Sequence, residues 1–336
     1  MKTVEYITQF LNKSFLPFGK NSTIKTQDYA YYLSKTSQAN TYVETHSKKA
    51  DSLHLRIKST YEECIRDSYF LLIKKLVKYK RFGRINLAID ITEELFYGKT
   101  RNFYIFHCGK EAEENTAEFH YIVASIANKR EEEKIPLMAL PVTLGADKAK
   151  LVEQLLSFCL SLFRVKLVLL DRGFASAEVI VVMQQSKLNY LVLAKKYEMM
   201  KNMLEAVEKI CILDHEMVYH KGKTKYKVKT NLVLIKDVED YDWCFYTNLR
   251  LSDALRYVIT YKQRWRIETN FRVEDEAKIK SKSTNHIIRY FYFMFSLLMH
   301  TLWLLFERSI PFKRFLIQTY EILFCELLGV EWVGVT

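Results

Sequence analysis

Three acidic residues occur where a carboxylate is expected to need a partner, and together they indicate metal chemistry. Asp90 lies within the apolar run Ile85–Ile91, and Asp171 directly follows the run Lys166–Leu170. An ionised carboxylate among apolar residues is costly unless it is paired or binds a metal. The third acid, Glu268, lies in a segment rich in arginine. Each acid alone is more often structural. Because Mg²⁺ prefers carboxylate oxygens, however, the three together predict a divalent metal site.

Glu268 is predicted to lie on one long helix over Tyr261–Lys280. Residues spaced i, i+3, i+4, i+7 and i+11 share one face of a helix. Five side chains of this segment have that spacing: Tyr261, Arg264, Trp265, Glu268 and Arg272. Two interpretations are open, because such a face forms either a row of salt bridges or a functional site.

The elements expected to position these acids follow an α/β pattern that begins at residue 85. Short apolar runs predict strands over Ile85–Ile91, Asn102–His107, Glu118–Ala127, Leu137–Val142, Lys166–Leu170 and Tyr190–Ala194. The spacing of apolar residues predicts helices over Asp147–Phe163, Ser176–Gln185 and Tyr197–Ile210. We expect Asn102–His107 to form a hairpin with the first strand. Three antiparallel strands followed by alternating strands and helices are typical of an RNase H-like fold.

Four regions are expected along the chain. Residues 1–84 are predicted to be a basic helical DNA-binding region, and residues 85–210 the first part of the catalytic core. Strand-like pieces over 211–250 interrupt the alternation and predict a small β insertion. Residues 251–336 complete the core with the Glu268 helix and apolar helices at the carboxyl end.

The charge of the chain predicts an anionic partner. Its 51 lysines and arginines exceed its 39 aspartates and glutamates, which gives a formal net charge of +12. Residues 1–84 hold 16 of these basic residues and only 7 acidic ones. Contact with a DNA backbone explains such a basic helical unit, and a solvated helical face explains it as well.

A second basic feature is the segment His220–Thr230, which is predicted to form one β-strand. Alternate residues of a strand project from the same face, and five lysines alternate here: Lys221, Lys223, Lys225, Lys227 and Lys229. This row either binds DNA phosphates or protects an exposed strand edge.

The rest of the composition favours a cytoplasmic protein. The six cysteines lie far apart without a Cys-x-x-Cys pair, and Glu5 and Gln9 interrupt the region where a signal peptide would have its apolar core. The histidines form no competing metal site. The apolar stretch Ile287–Phe306 approaches the length of a membrane span, but Arg289 and His300 interrupt it. We therefore expect a buried core helix and no membrane partner.

These motifs together resemble the DDE transposases of prokaryotic insertion sequences, in particular the IS-four-like group. That group has a tyrosine, two residues, an arginine, three residues and the third acid, which Tyr261, Arg264 and Glu268 match. Its first acid lies in an apolar strand, as Asp90 does. Its second acid begins an Asp-Arg-Gly-Phe or Asp-Arg-Gly-Tyr turn, as Asp171 does. The 97-residue separation of Asp171 and Glu268 leaves room for the family's β insertion.

The resemblance, which covers about residues 85–305, implies a function. Asp90, Asp171 and Glu268 would hold two Mg²⁺ or Mn²⁺ ions and catalyse DNA cleavage and strand transfer. The partners would be the terminal inverted repeats of a mobile element and its target DNA, bound by a homodimer in the nucleoid. Residues expected to contact DNA are Tyr261, Arg264, Arg172 and the five alternating lysines. Trp265 and Trp243 are candidates for stacking on an unpaired base, although core packing explains Trp265 equally well.

One position departs from the family pattern. In the family, six residues usually separate the third acid from a following lysine or arginine. At that position, this chain has Asp275. Lys278, about one helical turn later, is the candidate to replace it. Two other functions remain open: an RNase H-fold nuclease or resolvase without strand transfer, and an inactive DNA-binding protein derived from a transposon.

Overall fold

A computed structural model of the protein describes residues 2–15, 24–78, 82–96, 102–107, 117–128, 135–222, 224–265 and 275–333. Glu268, Arg272 and Lys223 lie outside the described residues, and the side chain of Lys221 is likewise not described.

A mixed sheet forms the centre of the molecule and has the order expected of an RNase H-like fold. Its first six strands are β1 (Arg84–Phe96), β2 (Ile105–His107), β3 (Ala117–Ile126), β4 (Pro136–Val142), β5 (Arg164–Leu170) and β6 (Tyr190–Leu193). On one side of β1 lies β3, antiparallel to it, and the other edge of β3 pairs antiparallel with β2 and β4. On the other side β5 pairs parallel with β1, and β6 pairs parallel with β5. The predicted fold class is thus confirmed.

The predicted β insertion extends this same sheet. β9 (Trp243–Thr247) pairs antiparallel with β6, β8 (Thr224–Ile235) pairs antiparallel with β9, and β7 (Ile210–Lys221) pairs antiparallel with β8. β7 is the last strand in the order. The strands β7, β8 and β9 therefore widen the central sheet.

Two predictions about individual strands and helices are wrong. Asn102–His107 does not form a hairpin with β1, because β2 pairs with β3. The helix predicted over Tyr197–Ile210 is α8 (Glu198–Glu205), and Ile210 already belongs to β7.

The five lysines do not share one strand. Lys221 ends β7 and is the register partner of Thr224 at the start of β8, so the two lie on different strands. Gly222 follows Lys221 with φ of +63°, a conformation that glycine adopts without steric cost. Only Lys225, Lys227 and Lys229 share a strand, β8.

The helices of residues 2–78 confirm the predicted helical content of the amino-terminal region. They are α1 (Lys2–Ser14), α2 (Thr26–Ala39), α3 (Val43–His46), α4 (Ala50–Lys58) and α5 (Glu62–Val77). The remaining α-helices are α6 (Lys148–Leu162), α7 (Ala177–Gln185), α8, α9 (Ala254–Lys262), α10 (His286–Leu302) and α11 (Phe312–Leu328). Phe10 of α1 stacks on Phe291 of α10 at 5.7 Å, and both belong to the core that includes β1 and β3. The amino-terminal helices therefore share one hydrophobic core with the catalytic sheet.

The predicted helix Tyr261–Lys280 is not continuous. α9 ends at Lys262, and a turn follows in which the amides of Arg264 and Trp265 bond three residues back, to Tyr261 and Lys262. A short 3₁₀ helix covers Asp275–Ala277. Helices commonly tighten in this way at their ends, so α9 delivers only the first part of the predicted face to the sheet.

A single described helical segment, His286–Glu307, is long and apolar enough to cross a membrane. In the structure, 83% of the apolar 18-residue stretch of this segment is buried inside the protein, as the prediction of a core helix requires.

A buried ion pair ties α10 to β1 on the strand that carries Asp90. The guanidinium of Arg289 is 2% exposed and donates to Glu94 Oε1 at 2.9 Å. It also donates to the carbonyls of Ser281 and Ser283. Removing one partner of such a pair leaves a buried charge uncompensated.

Glu94→Gln is therefore expected to lower the free energy of unfolding by about 3–5 kcal/mol, measured by urea denaturation. The control Glu153→Gln, at an exposed position of α6, is expected to change it by less than about 0.5 kcal/mol. Equal effects of the two substitutions would contradict a structural role for the Arg289–Glu94 pair.

Candidate active site

Parallel pairing of β1 with β5 brings two of the predicted catalytic acids to one end of the sheet. Ile89 of β1 is the register partner of Leu170 of β5, so Asp90 and Asp171 are the next residues on neighbouring strands. The carboxyl ends of parallel strands are where α/β proteins place their sites. Asp90 and Asp171 also point to the same face, because both contact residues that follow α9 or lie on it.

The guanidinium of Arg264 bridges the two carboxylates. Its Nη1 donates to Asp90 Oδ2 at 2.5 Å, and its Nη2 lies 3.8 Å from Asp171 Oδ1. The Arg264 side chain is only 5% exposed, whereas those of Asp90 and Asp171 are 14% and 31% exposed. The charge-assisted hydrogen bond to Asp90 is strong, and the ion pair with Asp171 holds the second carboxylate close to the same cation.

Tyr261 completes this network from the last turn of α9. Its hydroxyl donates to Asp171 Oδ1 at 3.3 Å and accepts a hydrogen bond from Arg264 Nε at 3.1 Å. The side chain is fully buried. Burial, together with the charge of Asp171, raises the pKa of Tyr261 well above its usual value, despite the opposing charge of Arg264. Tyr261 therefore remains a neutral hydroxyl that donates a hydrogen bond to Asp171.

The electrostatics favour a permanent positive charge on Arg264. Burial by itself would lower the pKa of the guanidinium, but Tyr261, Asp90 and Asp171 outweigh it, and the pKa is raised. One fixed cation thus balances two carboxylates of a mostly buried site.

The position of α9 is set by contacts on both sides of this network. At its start, the side chain of Asp253 accepts a hydrogen bond from the backbone amide of Arg256 at 2.9 Å. At its end, Asn86 Nδ2 of β1 donates to Gln263 Oε1 at 2.9 Å. Between them, the buried face of α9 packs on the sheet through Tyr257, Val258 and Tyr261.

The donor set fits a divalent metal ion. Asp90 and Asp171 offer hard carboxylate oxygens, which Mg²⁺ and Mn²⁺ prefer. The bridging guanidinium shows that the space between these carboxylates stabilises positive charge. Glu268, the third predicted ligand, lies outside the described residues.

A different acidic cluster lies nearby on the sheet. Glu93, Glu118 and His120 have ligand atoms within 4.8 Å of one another, and His120 Nε2 lies 3.0 Å from Glu118 Oε2. Glu93 is three residues from Asp90, so the alternation of a strand places it on the opposite face of β1. This cluster shares no residue with the predicted triad.

The other predicted site residues occupy varied positions. Arg172 is exposed in the turn after Asp171. Lys278 Nζ lies 3.8 Å from Asp275 Oδ1, so the candidate replacement pairs with the residue that departs from the family pattern.

The two tryptophans differ in exposure. Trp243 is 3% exposed and its indole N–H donates to the Val238 carbonyl, which places it in the core and away from any surface where a base could stack. Trp265 is 42% exposed and lies against Trp243, with ring centroids 5.8 Å apart.

Three residues of the site had no sequence-based prediction. Asn86 and Gln263 join β1 to the end of α9, and Lys148 Nζ donates to the Gly173 carbonyl in the turn after Asp171. Asn86 is polar, lies in an apolar strand and projects from the same face as Asp90. This pattern could have identified Asn86 from the sequence. Nothing in the sequence indicates the contacts of Gln263 or Lys148.

Comparison with known proteins agrees with this arrangement. Residues 137–299 match the model of a family described as Transposase DDE domain. The matched range contains Asp171 and Glu268, and the match supports the predicted enzyme class. Asp90 precedes the matched range and reaches the site through β1.

A solved structure has the same fold. A cryo-EM structure of the piggyBac transposase synaptic complex with hairpin DNA is similar with a TM-score of 0.60 at 11% sequence identity. The similarity covers 98% of this chain and 79% of the other chain. No curated protein matches the sequence significantly.

Arg264→Gln is expected to lower the free energy of unfolding by about 3–5 kcal/mol, because two partly buried carboxylates lose their shared cation. Adding Asp90→Asn should recover part of this loss, since it removes one of the two negative charges. Both are measured by urea denaturation in the absence of divalent ions.

Arg256→Gln, on the helix α9 that precedes Arg264, is the matched control. Arg256 is 70% exposed and pairs with Asp253 at the surface, and such pairs contribute about 0–1 kcal/mol. If Arg264→Gln were no more destabilising than this control, the proposed bridging role would be wrong.

Proposed function

We propose that this protein is a transposase that binds the ends of its mobile element and catalyses metal-dependent DNA cleavage and strand transfer. The observation that carries the proposal is the pairing of Asp90 and Asp171 at one sheet end, bridged by Arg264 and Tyr261. The matched DDE domain supports it. Membership in the prokaryotic IS-four-like group is part of the proposal and rests on the spacing of Tyr261, Arg264 and Glu268.

The proposed cofactor is a pair of Mg²⁺ or Mn²⁺ ions held by Asp90, Asp171 and Glu268. When bound, such ions stabilise the attacking and leaving oxygens of an in-line phosphoryl transfer. The residues of this chain have two tasks. Asp90 and Asp171 fix the positions of the ligand oxygens, and Tyr261 and Arg264 orient both carboxylates from one side.

Arg264 has a second proposed role. Its guanidinium can exchange a carboxylate for a phosphate oxygen, since arginine binds both through the same planar donors. We therefore assign Arg264 and Tyr261 to the phosphate next to the cut. Arg172, exposed beside Asp171, is assigned to the DNA backbone.

Double-stranded DNA is the proposed substrate, in the form of terminal inverted repeats and a target site bound by a homodimer. The net charge of +12 supports an anionic partner. The similar piggyBac structure is a transposase synaptic complex with hairpin DNA. A nuclease without strand transfer is the second candidate, because the same carboxylates would serve hydrolysis.

Asp90→Asn, Asp171→Asn and Glu268→Gln are each expected to abolish Mg²⁺-dependent cleavage while leaving binding to the terminal repeat within about threefold. Each substitution removes a ligand charge but retains the shape of the side chain. The measurements are a gel assay of nicking and strand-transfer products and a fluorescence binding assay.

Glu153→Gln on α6 is the control and should cleave like the unmodified protein. Nicking that persists in one acid variant would remove that residue from the site. Nicking by the unmodified protein without any joined products would favour the nuclease.

A further inference from the structure

The three lysines of β8 lie on the same face of the sheet as the two catalytic acids. Every second residue of a strand projects from the same face of the sheet. Lys225, Lys227 and Lys229 therefore lie on the same face as Val233 and Ile235 further along β8. Val233 and Ile235 belong to the apolar cluster beneath α9, which includes Tyr261. No register shift interrupts the pairing of β8 with β7 or β9.

The strand register fixes how far these lysines lie from the acids. Leu170 of β5 is the register partner of Val192, Val192 of Tyr246, and Tyr246 of Leu232 of β8. Leu170 and Leu232 therefore lie at the same level along the strands. Three strand spacings of about 4.8 Å separate β5 from β8, a lateral distance of about 14 Å.

The offset along the strands follows from the same register. β5 and β8 run in the same direction, because two antiparallel pairings separate β8 from β6. Asp171 lies one residue after Leu170, and Lys229, Lys227 and Lys225 lie 3, 5 and 7 residues before Leu232. At about 3.3 Å per residue the offset is about 13–26 Å, and the total separation is about 19–30 Å.

The ribbon formed by β7 and β8 carries the positive charges of Lys225, Lys227 and Lys229 and is held in place by hydrogen bonds. Its other face is anchored, since Gln184 Nε2 of α7 donates to the Lys229 carbonyl at 2.7 Å and the Tyr190 hydroxyl bonds Thr230 at 2.9 Å. Lys227 Nζ lies 2.6 Å from Glu216 Oε1. The hydrogen bond from Lys227, followed by the charges of all three lysines, lowers the pKa of Glu216.

We propose that Lys225, Lys227 and Lys229 bind the backbone of the DNA duplex about 6–9 base pairs from the scissile phosphate. At 3.4 Å per base pair, this length of duplex spans the distance from the acids to the lysines. Successive lysines are about 6.7 Å apart, or two base-pair steps, so each meets a separate phosphate. The inference rests on the proposed function, because the acids define where the DNA is cut.

The test compares the unmodified protein with Lys225→Ser/Lys227→Ser/Lys229→Ser on duplexes that carry the inverted repeat flanking the gene. The duplexes extend about 4 or about 12 base pairs beyond the cleavage point, on each side in turn. The unmodified protein should gain affinity from the longer arm on one side, and the triple variant should lose that gain. On the longer duplex, the slope of log K against log salt should fall by about 2–3.

Lys150→Ser/Lys201→Ser/Lys313→Ser is the matched control. These lysines are exposed on α6, α8 and α11, so the variant changes the net charge equally away from the ribbon. It should keep both the gain from the longer arm and the salt slope. Circular dichroism and thermal unfolding establish that both variants are folded.

Two outcomes separate this inference from the proposed function. If the unmodified protein cleaves the duplex and the ribbon variant keeps the same slope and arm-length gain, the lysines only protect the strand edge and the inference is wrong. If the unmodified protein neither binds nor cleaves the repeat, the proposed function itself fails.

Discussion

The guanidinium of Arg264 lies between two carboxylates that come from different strands, and the geometry of the site depends on this contact. Asp90 and Asp171 are brought together by parallel pairing of β1 with β5, which by itself would place two negative charges side by side. Like charges at short range are unfavourable unless a cation compensates them. Arg264 supplies that cation, and Tyr261 holds Arg264 in place through its hydroxyl. These contacts fix the relative positions of the two carboxylates.

The same contact explains why α9 lies where it does. The helix is short, and its last residue, Lys262, comes just before the turn that carries Arg264. Gln263 fixes that turn to β1 through Asn86. Beyond Lys262 the amides of Arg264 and Trp265 bond three residues back instead of four, so the backbone leaves the α-helical path at Arg264. The prediction of one long helix fails after Lys262, where the chain turns and Arg264 contacts Asp90.

Much of the fold could be predicted from the sequence because apolar runs of strand length are distinctive. The runs around Asp90 and before Asp171 gave the right strands, and the order of elements gave the right sheet. The pairing of β2 with β3, by contrast, depends on contacts between distant residues, which local periodicity does not contain. The lysine row failed for a related reason: its alternation continues through Gly222, whose positive φ reverses the chain. Asp90 and Asp171 were correctly placed together, but the burial of Tyr261 and Arg264 depends on how α9 packs and could not be predicted.

The central claim is that Asp90 and Asp171, rather than the nearby cluster of Glu93, Glu118 and His120, form the metal site. The most direct test is anomalous diffraction from crystals grown with Mn²⁺. The account predicts a peak about 2.1 Å from oxygens of Asp90 and Asp171. A peak only at Glu93, Glu118 and His120 would contradict it.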